Sequence, residues 1–268
     1  MIDTHLHLSH RRFDGDRDLV LARALAAGVT AAVEVGWDLA SSAGAIALAA
    51  QHPDRLFPTA GIHPHEAEAA PADAIERLQG LLAHSPIVAV GETGLDFYRN
   101  LSPPAVQEAL FRAHIRLARE HRLPLVIHSR AATGRVLDLL AEEGGIPAGG
   151  VLHCFSGDRT DARRATQELG LCLGVGGTLT YDDPEHQAAI AEAPADSLVL
   201  ETDAPYLTPE PHRRERNEPA RMAIVRERLA ALRGITPDAI ARTTTANAIR
   251  LFRLPVEEPE SEPAPNRA

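Results

Sequence analysis

Four histidines and two carboxylates stand at or near the ends of short apolar runs that are spread along the chain. They are His5, His7, Glu92, His128, His153 and Asp203. His5 and His7 are two positions apart, so in an extended strand both imidazoles point to the same side. A lone strand histidine is more often a hydrogen-bonded core residue than a ligand. Six such groups in one place, however, would leave large desolvation costs uncompensated unless cations were bound.

The types of these side chains indicate a site for two divalent cations. Imidazole nitrogens and carboxylate oxygens suit Zn, Mn, Ni and Fe, and the carboxylates also suit Mg, so the ligands alone do not select among Mg, Mn and Zn. Six ligands exceed the number that one open catalytic cation takes, whereas two cations can share a bridging carboxylate. Glu92 is the natural bridge, because the chain contains no lysine that could be carbamylated for this role. The absence of lysine also excludes a Schiff-base amine and a P-loop lysine.

The apolar runs predict the elements that position these residues. Eight runs alternate with helix-like segments, and they cover residues 2–8, 30–36, 56–63, 87–92, 123–128, 150–155, 171–176 and 198–203. The last two helices are predicted at 219–233 and 237–252. Strands that alternate with helices predict a parallel sheet, and eight units favour a TIM (β/α)₈ barrel over a doubly wound open sheet. The carboxyl ends of barrel strands converge on one face, where the six side chains would meet.

The composition predicts a single α/β domain followed by a short tail. Of the 268 residues, 44% are hydrophobic and 24% are charged, which fits one globular domain at residues 1–254. Residues 255–268 are rich in proline and glutamate and have almost nothing to bury, so this tail is predicted to be disordered. The net charge of −10, part of which lies in the tail, argues against a surface that coats nucleic acid through broad electrostatics.

Cysteine usage and the first residues bear on the location of the protein. Cys154 and Cys172 lie in apolar runs and neither has a CxxC partner, which favours reduced, buried thiols and a cytoplasmic location. The N-terminus lacks the basic and apolar regions of a secretory signal. No stretch of about 20 uninterrupted apolar residues is present, so no membrane span is predicted.

Seven ordered blocks of the sequence resemble the TatD family of metal-dependent deoxyribonucleases, in the amidohydrolase-like superfamily. The blocks are Asp-Thr-His-Leu-His at 3–7, Gly-Ile-His-Pro-His at 61–65, Gly-Glu-Thr-Gly-Leu-Asp-Phe-Tyr at 91–98, His-Ser-Arg at 128–130, His-Cys-Phe-Ser-Gly at 153–157, Glu-Thr-Asp-Ala-Pro-Tyr-Leu-Thr-Pro at 201–209 and Arg-Asn-Glu-Pro at 216–219. The resemblance implies a two-metal phosphodiesterase acting on DNA, as a 3′→5′ exonuclease on single strands or damaged ends. The family's metal positions fall on the same six residues that spacing indicates.

One departure from the family pattern lies just before the last block. The family usually shows a Gly-Lys-like pair there, whereas this chain has Arg214 and Glu215. Replacement of the glycine removes backbone freedom, and Glu215 reverses a charge near the substrate loop. The resemblance therefore constrains the substrate preference less closely than it constrains the metal site.

Asp203 and Glu92 are the predicted catalytic residues. A water shared by two cations loses its proton near neutral pH, and Asp203 can accept that proton. His63 and His65 are predicted to bind substrate by donating to the phosphate or the leaving oxygen, with a supporting hydrogen bond as the alternative for each. Arg130 is predicted to bind a phosphate. The last predicted substrate-binding residue is Arg216, for which pairing with Glu218 or a helix carboxylate is the alternative.

Several further residues near the predicted rim have two interpretations. Glu201 is either a second acid or, by preference, the partner of a nearby arginine in a salt bridge. Aromatic residues could stack a terminal base or simply pack the loops; they are Phe97, Tyr98 and Tyr206. Other arginines in predicted rim loops could bind DNA on an otherwise acidic protein; they are Arg11, Arg12, Arg99 and Arg159.

Two other functions fit parts of the same pattern. A metal-dependent amide or ester hydrolase, such as an aminoacyl-tRNA deacylase, would use the same activated water on a carbonyl carbon. A metal-stabilised scaffold that binds a protein partner would instead need a closed coordination shell without an open water position. The sequence implies no obligate protein partner, and it leaves the native metal, the preferred end structure and the oligomeric state open.

Overall fold

Eight parallel strands lie side by side in chain order in the computed structural model, which describes residues 1–257. They are β1 Ile2–Leu6, β2 Ala31–Glu34, β3 Leu56–Ala60, β4 Ala89–Asp96, β5 Leu125–Arg130, β6 Gly150–Leu152, β7 Cys172–Val175 and β8 Leu198–Leu200. The chain after β8 pairs with β1 through a parallel bridge between Leu6 and Ala204 and a 2.8 Å hydrogen bond from Asp203 N to His5 O. The sheet therefore closes into the predicted TIM barrel, and the open-sheet alternative is wrong.

A buried carboxylate fastens this seam between the first and the last strand. Asp3 accepts hydrogen bonds from the backbone N–H of Thr202 at 3.0 Å and from its hydroxyl at 2.6 Å. Asp3 is fully buried, and burial raises its pKa to about 8 although the Thr202 bonds oppose the shift. The seam is thus held by side chains as well as by backbone pairing.

Helices follow the strands and cover the outside of the barrel. They are α1 Arg17–Ala26, α2 Leu39–Ala49, α3 Ala74–His84, α4 Pro104–His121, α5 Thr133–Glu142, α6 Arg159–Arg163, α7 Pro184–Glu192, α8 Met222–Arg233 and α9 Pro237–Phe252. Side-chain hydrogen bonds cap the N-termini of helices such as α2 and α9. Asp38 accepts from Ser41 N–H at the start of α2, and Thr236 caps α9 before Pro237. The predicted last helix is confirmed at its stated bounds. The helix predicted at 219–233 begins later, because Pro219–Arg221 forms a 3₁₀ turn first.

Small β-branched residues fill the lower part of the barrel interior. Val126, Val151 and Val199 belong to one buried apolar cluster, which α9 covers from below with residues such as Phe252. Because side chains alternate along a strand, residues two positions further on point into the same interior. Along each strand, the interior-facing side chains are therefore apolar at the bottom of the barrel and polar at the carboxyl end.

The remaining predictions about the whole chain fall partly outside the described residues. Most of the tail predicted at 255–268 lies beyond residue 257, while Val256 packs against the apolar cluster below the barrel. Both cysteines are free thiols. In the described part of the chain, no helix combines the length and the apolar character needed to cross a bilayer.

Buried His114 on α4 gives the fold a defined dependence on pH. Its Nε2 accepts from Ile62 N–H at 3.1 Å and its Nδ1–H donates to Leu110 O at 2.8 Å, so the neutral ring is fully satisfied. Burial lowers its pKa from 6.5 to about 4. The unfolded chain therefore takes up this proton at a higher pH than the folded chain, and stability falls as the pH drops below 6.5.

Replacement of His114 with Gln should remove this part of the pH dependence. Between pH 7 and pH 5 the wild-type ring should cost about 2 kcal/mol of unfolding free energy, which the variant would not lose. Urea unfolding of chelator-treated protein at both pH values measures the difference. Exposed His84 on α3 provides the matched control. His84→Gln should lose as much unfolding free energy between pH 7 and pH 5 as the wild type. A wild-type loss of unfolding free energy between pH 7 and pH 5 in His114→Gln would show that His114 does not cause this pH dependence.

Candidate metal centre

The six predicted ligands converge at the carboxyl end of the barrel. His5 and His7 extend from β1, and their Nε2 atoms lie 3.2 Å apart. Glu92 Oε2 lies 3.4 Å from His5 Nε2 and 3.9 Å from His7 Nε2. Asp203 Oδ1 completes this side of the cluster at 3.5 Å from His7 Nε2 and 3.9 Å from His5 Nε2. The fold therefore brings together groups that are far apart in sequence, as the spacing of the apolar runs predicted.

The second oxygen of Glu92 faces the other two histidines. Glu92 Oε1 lies 3.2 Å from His128 Nδ1 and 4.0 Å from His153 Nε2. Asp203 Oδ1 also lies 3.8 Å from His153 Nε2, and the rings of His5 and His153 stack with their centroids 3.4 Å apart. One carboxylate thus stands between two pairs of imidazoles.

The donor atoms of this cluster fit divalent cations. Atoms bound to one cation at 2.0–2.2 Å are separated by about 3.0–3.5 Å. The shorter distances of the cluster fall in this range, and the others are 3.8–4.0 Å. His7 Nδ1–H donates to Val35 O at 2.9 Å, so the Nε2 atom that faces His5 carries a lone pair. Lone pairs and carboxylates that converge in a buried place require positive charge between them. The histidine and carboxylate groups therefore fit metal binding.

Electrostatics favour the metal-binding forms of His5 and Glu92. Burial lowers the pKa of His5, and the neighbouring His153 lowers it further. Burial by itself would raise the pKa of Glu92, but the surrounding His63 and His5 together with the hydrogen bond from His128 hold it well below its usual range. A neutral imidazole and an ionised carboxylate are the forms in which these side chains can bind a metal. Burial lowers the pKa of His7, His128 and His153, but the charged groups around them raise it above its ordinary value, so a bound cation would displace a proton there.

Glu201 supports His153, and no arginine pairs with it among residues 1–257. Its Oε1 lies 2.9 Å from His153 Nδ1 and accepts the Cys154 N–H at 2.7 Å. A Cβ at Gly174 on β7 would collide with the Glu201 carboxylate, so a glycine makes room for it. The salt bridge with an arginine that the sequence favoured is wrong, because the barrel interior places a histidine there instead. A carboxylate on the outer ring nitrogen orients Nε2 toward the cluster.

His63 is arranged as a hydrogen-bond donor toward the cluster. Its Nδ1 accepts the backbone N–H of His65 at 3.1 Å, so the proton of the neutral ring sits on Nε2. That Nε2 lies 3.5 Å from Glu92 Oε1. His63, His65 and His128 form a further group close enough to share an ion, but the proton on His63 Nε2 makes it a donor and not a ligand. The geometry is compatible with the predicted contact to substrate.

Asp96 is a site residue that the sequence reasoning missed. It ends β4 and is 1% exposed, with Oδ2 at 2.7 Å from His65 Nε2 and at 3.2 Å from His128 Nε2. Its Oδ1 accepts the N–H groups of Arg99 at 2.7 Å and Tyr98 at 3.0 Å. Burial would raise the pKa of Asp96, yet the bond from His128 and these N–H groups keep it below its usual range. The signal was its position four residues after Glu92 on the same strand.

Replacement of Asp96 with Asn should weaken metal binding by about 10- to 100-fold, because the carboxylate orients the ring of His128. Calorimetric titration of Mn²⁺ into chelator-treated protein measures this change. Asp14, which is exposed and pairs with Arg17, is the matched control, and Asp14→Asn should bind like the wild type. Wild-type affinity in Asp96→Asn would show that Asp96 does not position His128.

The site opens into a cavity of about 800 Å³. Its walls include Arg130, whose guanidinium carbon lies 4.4 Å from the ring centroid of Tyr98, and the aromatic side chains of Trp37 and Tyr206. Tyr98 is 67% exposed and Tyr206 44% exposed, so both present ring surface to solvent. Phe97 packs against the core instead, which is the loop-packing alternative.

The other predicted arginines divide between the cavity and the outer surface. Arg99 lines the cavity, whereas Arg159 pairs with Glu185 and Glu192 on the outside. Arg216 does not line the cavity. Both of its amino groups bind Asp16 at 2.7 Å, and one of them also binds Glu218 at 2.9 Å. The structure thus places Arg216 in the ion pairs that were the alternative to substrate binding.

Comparisons with known proteins agree with this geometry. Residues 2–253 match the family described as TatD related DNase. The chain is 42% identical to the 3′-5′ ssDNA/RNA exonuclease TatD of Cronobacter sakazakii over 94% of this chain and 97% of that protein. It is 38% identical to the uncharacterized metal-dependent hydrolase YabD of Bacillus subtilis over 95% and 99% of the two chains. The crystal structure of YJJV, a TatD homolog from Escherichia coli, superposes with a TM-score of 0.90 at 34% identity, covering 95% and 98%. The chain therefore belongs to the TatD related DNase family.

Proposed function

We propose that this protein is a metal-dependent phosphodiesterase that removes nucleotides from the 3′ ends of single-stranded DNA. The observation that carries the proposal is the position of Glu92 at the floor of an open cavity. Its two oxygens face two different pairs of histidines, at 3.4 Å from His5 Nε2 and 3.2 Å from His128 Nδ1. With one oxygen toward each pair, Glu92 would be shared by two divalent cations if both were bound. The direction of cleavage and the single-stranded substrate rest on the name of the Cronobacter sakazakii relative.

The six ligands would hold two cations, which supply Lewis acidity toward a phosphate oxygen and lower the pKa of a water. Asp203 is placed to accept the proton of the attacking water, because its carboxylate is at the centre of the cluster and still 8% exposed to the cavity. The Nε2–H of His63 faces Glu92 Oε1 at 3.5 Å, at the edge of the cluster. It would donate to a phosphate oxygen or to the leaving oxygen. Arg130 on the wall would bind a phosphate.

The residues behind the ligands restrict their motion. Glu201 and Asp96 each face the outer nitrogen of one predicted ligand histidine, at 2.9 Å for His153 and 3.2 Å for His128. Fixed rings keep the site assembled before substrate arrives, which reduces the reorganisation needed in the transition state. The carboxylates would therefore contribute to catalysis without contacting the substrate.

Labelled substrates and metal analysis together test the proposal. Protein purified without chelators should contain about two equivalents of metal by mass spectrometry, as a bridged pair requires. A single-stranded DNA labelled at its 5′ end should be shortened stepwise, and the same strand labelled at its 3′ end should release labelled mononucleotide at once. Aminoacyl-tRNA and a small cyclic amide are assayed in parallel. Turnover of either without turnover of DNA would replace the proposed activity with hydrolysis at a carbonyl carbon.

A further inference from the structure

Arg213 stacks on Tyr181 at the wall of the cavity, and the mechanism proposed above uses neither residue. The guanidinium carbon lies 3.7 Å from the ring centroid of Tyr181. Both residues line the cavity, and the Arg213 side chain is 51% exposed. Arg213 lies between β8 and α8, while Tyr181 follows the 3₁₀ turn Gly177–Thr180 after β7. The stack therefore joins two neighbouring loops of the barrel rim.

Hydrogen bonds and close packing hold these two loops together. The Tyr181 hydroxyl donates to Thr208 O at 3.0 Å, and Glu210 N–H donates to the Thr180 hydroxyl at 2.9 Å. A Cβ at Gly177 would collide with Leu207 O, so the backbones approach as closely as a glycine allows. The tyrosine is thus fixed before any ligand arrives, which lowers the entropic cost of binding on it.

The positive charge of Arg213 is weakly compensated. Within residues 1–257 its ion-pair partner is Glu210 at 3.9 Å, and both side chains are about half exposed. Exposed pairs of this kind contribute little, so the guanidinium can exchange Glu210 for a stronger anion. Arg216 on the same loop differs, because Asp16 and Glu218 bind it directly.

Arg130 has the same arrangement on another sector of the rim. It stacks on Tyr98, and within residues 1–257 no carboxylate lies at ion-pair distance from it. Arg130 ends β5 while Arg213 follows β8, so the two strands are three apart around the barrel. The predicted ligands line the same cavity as Arg130 and the stack of Arg213 on Tyr181. An arginine whose face is stacked keeps its N–H edge free for a bidentate bond to phosphate.

We propose that Arg213, held on Tyr181, binds a phosphate of the single strand that is at least one nucleotide away from the scissile phosphate. The proposal rests on the proposed function and adds a second binding position to the one expected at Arg130. A strand bound at Arg213 as well as at the metal centre extends across the cavity toward the loops after β7 and β8. Substrates that are too short to reach Arg213 gain nothing from it.

Arg213→Gln and Arg214→Gln, compared on a long and a short substrate, test this position. Arg214 is the matched control, because it carries the same charge on the same loop, is exposed and does not line the cavity. Arg213→Gln should raise KM for a single-stranded oligonucleotide about tenfold, as expected for loss of one charge-assisted bond. Its salt dependence of binding should become shallower by about 0.7 in log–log slope. Its kcat and its hydrolysis of bis(p-nitrophenyl) phosphate, which carries no second phosphate for Arg213 to bind, should match those of the wild type.

The results that would contradict the second binding position differ from the result that would contradict the proposed function. Wild-type KM in Arg213→Gln, with an active wild-type enzyme, would overturn the second position and leave the proposed function intact. Equal losses in Arg213→Gln and Arg214→Gln would also overturn it, since they would show a general effect of loop charge. A wild-type protein that hydrolyses bis(p-nitrophenyl) phosphate and no nucleic acid would overturn the proposed function itself.

Discussion

Asp203→Asn is expected to lower kcat for metal-dependent hydrolysis of single-stranded DNA by about 10³-fold, within the range for loss of a general base. The amide keeps the shape of the side chain but cannot accept the proton of the attacking water. Asp203 Oδ1 lies 3.5 Å from His7 Nε2 and 3.8 Å from His153 Nε2, so a single oxygen of this carboxylate faces both sides of the cluster. Single-turnover kinetics at saturating metal measure the effect on the chemical step.

Metal content must be followed in the same variant, because Asp203 is also a predicted ligand. The kinetic loss should persist at metal concentrations that restore full occupancy. Asp182→Asn, which changes an exposed carboxylate on the loop after β7, should have wild-type kcat. Full activity in a correctly folded, fully metallated Asp203→Asn would remove Asp203 from the mechanism.

Glu92→Gln should have the second large effect, on metal stoichiometry as well as on rate. Oε2 of Glu92 lies 3.4 Å from His5 Nε2 and Oε1 lies 3.2 Å from His128 Nδ1, so both oxygens are engaged. The amide offers one neutral oxygen and places an NH₂ group where a cation would be, so it cannot bridge two ions. Metal per chain should fall from about two equivalents to one or fewer, with activity at least 10³-fold lower, comparable to losing a whole metal-assisted step.

Mass spectrometry of metal and calorimetric titration check the stoichiometry of Glu92→Gln. The control is Glu76→Gln, which changes an exposed carboxylate in the first turn of α3. Two equivalents bound with wild-type affinity in Glu92→Gln would contradict the bridging role. Circular dichroism of both variants separates loss of metal from loss of fold.

The barrel and the convergence of the six predicted ligands followed from the sequence because both depend on local periodicity. Eight apolar runs fix the number of strands, and the two-residue spacing of His5 and His7 fixes their common direction. His153 and Val151 show the same alternation, which carries the strand from core to site. These patterns are reliable because the direction of a side chain in a strand depends on its position along that strand and not on its neighbours in space.

The supporting partners could not be read in the same way. Arg216 binds Asp16, 200 residues earlier in the chain, and nothing local distinguishes that carboxylate from Glu218. Glu201 finds a histidine where an arginine was expected, because the barrel interior and not the sequence neighbourhood chooses the partner. The role of Asp96 also depends on His65, which reaches it from the loop after β3. Long-range pairing of this kind needs the closed fold.

The seam between β1 and β8 gives the fold and the site a common step of assembly. Asp203 N–H donates to His5 O across the seam at 2.8 Å, and the side chains of the same two residues belong to the ligand cluster. The first and last strands of a barrel make its contacts of greatest sequence separation, which form late in folding because loop closure is costly. Any cation that binds across the seam stabilises the closed barrel by mass action. Cellular metal supply would thereby influence how long the chain survives proteolysis as well as the rate of the proposed hydrolysis.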